Sequence, residues 1–207
     1  MELTLTPASR FYGSDLDYFI TEMPGWQAAD ERRQRLLVAA AQYLISGESS
    51  VDEWIGTNTL RRNDLAAYRA MILLKQQDPS AYDGISPDAW EKWAASVVAS
   101  PKDSSVSTKS KLQAGIVADA LKAAPVQFVS AVREMMRKER ARAATAAADA
   151  PAVPGTSFFV LRELEECWDS ALLKDAVFEE LCDGANSVDQ FSVILEVLLA
   201  AKFVRPA

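Results

Sequence analysis

Histidine is absent from the 207 residues, and cysteine, glycine and long apolar runs are scarce. Without an imidazole the chain cannot build a Ser-His-Asp triad, a Cys-His dyad, an HExxH zinc site or a di-iron centre of the ExxH kind. Most hydrolase and metalloenzyme templates fail on that count. The two cysteines, Cys167 and Cys182, stand fifteen apart with no CxxC. That spacing suggests neither a disulfide framework nor a zinc ribbon; it reads as two small apolar residues on helix core faces in a reducing compartment. The eight glycines stand singly, at 13, 25, 47, 56, 84, 115, 155 and 184, so the phosphate loop GxxxxGK[ST] is missing. No segment offers ~18 uncharged apolar residues for a membrane span. The start, Met1 to Pro7, lacks the basic residues and apolar stretch of a signal peptide. A cytoplasmic protein with no membrane partner, no metal and no cofactor is expected.

What is present is apolar surface in helical register. At 49% apolar residues the chain has ample material for a core, and a net charge of −7 disfavours broad binding to nucleic acid or anionic membrane. Leu36, Leu37, Ala40, Tyr43 and Leu44 recur at three- and four-residue steps, predicting a helix over 26–46 with Gly47 as its C′ residue. Ser50 and Glu53 fit a capping box before a short turn containing Trp54 and Ile55. A helix over 59–77 closes at Asp78-Pro79, and Ser86-Pro87-Asp88 reads as N-cap, N1 and N2 of a helix through Val98. After a polar connection over 99–108, one helix ends near Ala124-Pro125 and another runs from Val126 to Arg142. Ala-rich sequence and then Pro151 and Pro154 mark residues 143–156 as a linker. Three more helices follow, over 157–168, 171–182 and 188–203, the last opened by a Ser187-x-x-Gln190 capping box. Apart from a short strand possibility at Leu3 to Thr6, the reading is all-α. It divides the chain into an N-terminal segment 1–25, a helical-repeat part 26–142, the linker 143–156 and a C-terminal helical part 157–207.

The breaks recur. Pro79, Pro125 and Asp169 are 46 and 44 residues apart, and each follows an apolar helix and precedes another. HEAT and armadillo repeats recur at roughly 40–47 residues, because two helices and their turns take that length. The spacing therefore predicts an α-solenoid of antiparallel helix pairs, with an irregular helical bundle as the alternative. Four stretches, Ala39-Ala40-Ala41-Gln42-Tyr43-Leu44, Asp52-Glu53-Trp54-Ile55-Gly56-Thr57-Asn58, Leu65 to Leu74 and Ser86-Pro87-Asp88-Ala89-Trp90-Glu91-Lys92-Trp93, follow an apolar and aromatic pattern. Over residues 27–130 this pattern resembles the helical-repeat regions of large bacterial NACHT or STAND-type NTPases. The resemblance implies a sensor or scaffold arm of a signalling or defence NTPase, here without the motor.

Candidate sites are few. Trp90 and Trp93 share a helix face, with Tyr68 and Tyr82 in the preceding hairpin, and aromatics at that spacing fill a core more often than they bind a ligand. Glu163, Glu165 and Glu166, and then Asp175, Glu179 and Glu180, read as an exposed acidic face. Residues 109–148 carry eight Lys and Arg against three acids, whereas 156–207 carry four against ten. The basic run Arg133, Arg137, Lys138, Arg140 and Arg142 is either a solvated helix end or a surface for an acidic partner or phosphate. Phe191, Leu195, Leu198 and Leu199 lie on a C-terminal helix that is apolar on nearly all sides, so either an N-terminal element folds back to cover it or it meets another chain, a second copy or the rest of a longer protein, the reading adopted being a partner surface. The function expected is that of a non-catalytic scaffold or sensor mediating protein–protein interaction. The alternative is a small-ligand protein or histidine-independent enzyme with a pocket between helix pairs.

Overall fold

The computed structural model describes residues 19–22, 24–27, 30–57, 61–100, 108–145, 159–182 and 186–202. The strand possibility at 3–6, most of the linker 143–156 and Phe203 lie outside them. Every regular element among the described residues is helical. After a 3-10 turn at Ile20–Glu22 come α1 (Pro24–Gln27), α2 (Asp30–Ser46), α3 (Val51–Trp54), α4 (Arg62–Gln77), α5 (Pro79–Asp83) and α6 (Pro87–Ala99). The second half holds α7 (Thr108–Ala123), α8 (Pro125–Thr145), α9 (Phe159–Arg162), a 3-10 turn at Glu165–Cys167, α10 (Ala171–Cys182) and α11 (Val188–Ala200).

Helix α4 sits at the centre. Its residues from Ala67 to Leu74 are all buried, because α2, α5, α6 and α7 pack around it. Burying Met71, Ile72, Leu73 and Leu74 is worth roughly 1.5–3 kcal/mol each relative to exposure. Among the larger helices α2 packs on α4, α4 on α6, α6 on α8, α8 on α10 and α10 on α11, while α7 lies against α4, α6 and α8. Aromatics fill the joints. Trp93 is fully buried, stacks on Tyr43 at 5.9 Å and donates from Nε1 to Leu44 O at 2.9 Å. Tyr68, Tyr82 and Trp90 are buried as well.

The caps explain most boundaries. Asp78 accepts from Ala81 N ahead of Pro79, and Ser86 accepts from Ala89 N ahead of Pro87. The Ser187–Gln190 capping box forms in both directions. Pro125 has no N–H to continue the ladder of α7, and the chain turns there by 115° into α8.

Three expectations are corrected. The Ser50 hydroxyl does not cap α3; it donates to Asp64 instead. Gly47 is not left-handed; it is needed for close approach, since a Cβ there would lie 2.7 Å from Tyr43 O and 3.2 Å from Trp93 Cζ2. Gly56, by contrast, has φ +71°, and a Cβ would stand 2.7 Å from Lys138 Cβ on α8. The helix expected over 157–168 is the short α9 followed by a 3-10 turn. The helices that follow the first and second breaks are unequal in length: α5 has five residues and α8 has twenty-one.

Candidate functional site

The basic run on α8 meets the acidic C-terminal part of the same chain. Three arginines at the spacing 133, 137 and 140 share one helix face, and α10 brings Glu180 onto that face. Arg133 Nε lies 3.0 Å from Glu180 Oε1, and its Nη1 lies 2.9 Å from Glu179 Oε2. Arg137 Nε lies 3.5 Å from Glu180 Oε1, and Arg140 pairs through Nη2 with Glu180 Oε2. Arg140 Nη1 also donates to Asn186 Oδ1 at 3.2 Å. Glu180 is 2% exposed and Arg140 8%, so neither presents itself to another molecule. This corrects the expectation of Arg140 as a partner contact and of Glu180 as part of an exposed face. Arg137 keeps an exposed side chain beside the pair. Lys138 turns the other way, donating to Asp52 O at 2.8 Å with Glu134 at 3.6 Å.

On α11 the apolar residues separate into two sets. Val193, Ile194, Val197 and Leu198 are buried against α9 and α10, so Leu198 belongs to the core, contrary to its expected role as a contact. Val188, Phe191, Leu195 and Leu199 remain exposed, at 82%, 45%, 39% and 68%. At 3.6 residues per turn these four fall within roughly 80° of arc and form one stripe along the helix. Glu196, on the flank, is held by Arg162 Nη2 at 2.6 Å. Cys182 is exposed at the end of α10, whereas Cys167 is buried, so only one of the two lies on a core face.

One densely bonded buried polar group went unread in the sequence. Asp64, in the first turn of α4, is fully buried. Its Oδ1 accepts from the Ser49 and Ser96 hydroxyls at 2.8 and 2.5 Å. Its Oδ2 accepts from Trp54 Nε1 and the Ser50 hydroxyl, both at 2.8 Å, and from Ser50 N at 3.2 Å. Burial pushes the carboxyl pKa up, but the hydrogen bonds from Ser96, Trp54, Ser49 and Ser50 outweigh it and hold the group below the ordinary Asp range. The available signal was its phase: Asp64 lies four and seven residues before Tyr68 and Met71, on the apolar face of the helix.

A second cluster joins α4, α5 and α7. Asp119 Oδ2 accepts from Lys75 Nζ at 2.5 Å and from the Tyr82 hydroxyl at 2.8 Å, with Nζ 4.8 Å from the Tyr82 ring centroid. Burial first, and then the hydrogen bond to Asp119, raises the Tyr82 pKa far above the ordinary phenol value. Tyr82 is therefore a neutral donor at physiological pH. Among the described residues no three His, Cys, Asp or Glu side chains gather to hold a metal ion, and no single helix is long and apolar enough to cross a membrane. No protein-family model, curated protein or solved structure matches this chain.

Proposed function

We propose that this chain is a non-catalytic helical-repeat scaffold or sensor module that works by binding protein, in the bacterial signalling or defence setting its resemblance implies. The observation that carries the proposal is the exposed stripe Val188–Phe191–Leu195–Leu199 on the last helix of the stack. A contiguous apolar patch on a folded surface marks an interaction site far more often than a scatter of single apolar residues does. The packing of α2 on α4, α4 on α6, α6 on α8 and α8 on α10 supports a HEAT-like stack.

Affinity capture from cells of the native host, with the full chain compared against Leu195→Glu and Leu199→Glu, tests the reading. A protein, this chain included, should co-purify at fixed stoichiometry with the unmodified chain and be lost from both variants. The same set of proteins on all three baits would refute it.

A further inference from the structure

We draw no further inference here: the strongest candidate, the exposed apolar stripe of Val188, Phe191, Leu195 and Leu199 along α11, belongs to the site already described, and nothing in the structure shows what covers it.

Discussion

Asp64→Ala should be among the most damaging single substitutions in the molecule. The carboxylate is fully buried and joins the 49–50 segment, α3, α4 and α6 through five donors. Three of these are serine hydroxyls, which can rotate toward other acceptors once the carboxylate is gone. Trp54 Nε1–H and Ser50 N–H cannot, and an orphaned buried donor costs about 1–3 kcal/mol. With the residual loss at the hydroxyls, the expected penalty is roughly 3–5 kcal/mol, out of a total stability of about 5–15 kcal/mol for a domain. Asp64→Asn keeps one oxygen for the two fixed donors, while the Ser49 and Ser96 hydroxyls can turn to accept from its amide. Its cost should be about half as large, chiefly the loss of charge-assisted bonds. Urea unfolding followed by tryptophan fluorescence and circular dichroism at neutral pH measures both values. Acid supplies an independent check. Because the folded pKa lies below the unfolded one, the ionised carboxyl's contribution is fully present above the unfolded value and is lost as pH falls toward the folded one. The stability gap between the unmodified chain and Asp64→Asn should therefore narrow as pH falls through and below the ordinary Asp range. An Asp64→Ala penalty below about 1 kcal/mol, within the usual range for surface changes plus error, or a gap that does not move with pH, would refute the reasoning.

Glu180→Ala leaves Arg133, Arg137 and Arg140 facing one another without their shared carboxylate, and removing one partner of a buried pair costs about 3–5 kcal/mol. Amide hydrogen exchange should accelerate through α10 in that variant. An effect no larger than that of exposed Glu179→Ala would count against it. Gly56→Ala must hold a Cβ at positive φ and against Lys138 Cβ, so it should lower stability by ~2 kcal/mol or more; a urea midpoint unchanged from the parent would contradict this. Tyr82 has its pKa raised in the fold, so its contribution is intact below the unfolded value near 10 and declines as pH rises beyond it. Alkaline unfolding curves should show that decline in the parent, and Tyr82→Phe should remove part of it; superimposable pH profiles would dispose of the idea.

Much of the helical framework was legible because caps and periods are local. Pro87 after Ser86, and Ser187 three residues before Gln190, announce helix starts without any tertiary context, and the structure shows both caps in use. Tertiary partners were not legible. Ser50 has the right neighbours for a capping box, yet its hydroxyl serves a carboxylate fourteen residues away. Arg140 reads as a surface cation until α10 folds over it. The period of α11 placed Leu198 and Leu199 together on an all-round apolar helix, and only the packing of α9 and α10 decides that Leu198 is covered and Leu199 is not.

The pairing of α8 with α10 also changes what the molecule shows to its surroundings. Within the chain's strongest basic stretch Arg133 and Arg140 are engaged by Glu179 and Glu180, and the net charge of −7 sets the long-range field that a distant polyanion meets. Two copies approaching one another meet the same long-range repulsion before any apolar contact forms. Added salt screens that field within about a Debye length, near 8 Å at physiological ionic strength. The encounter of like copies should therefore quicken as ionic strength rises, the reverse of what steered, oppositely charged partners show.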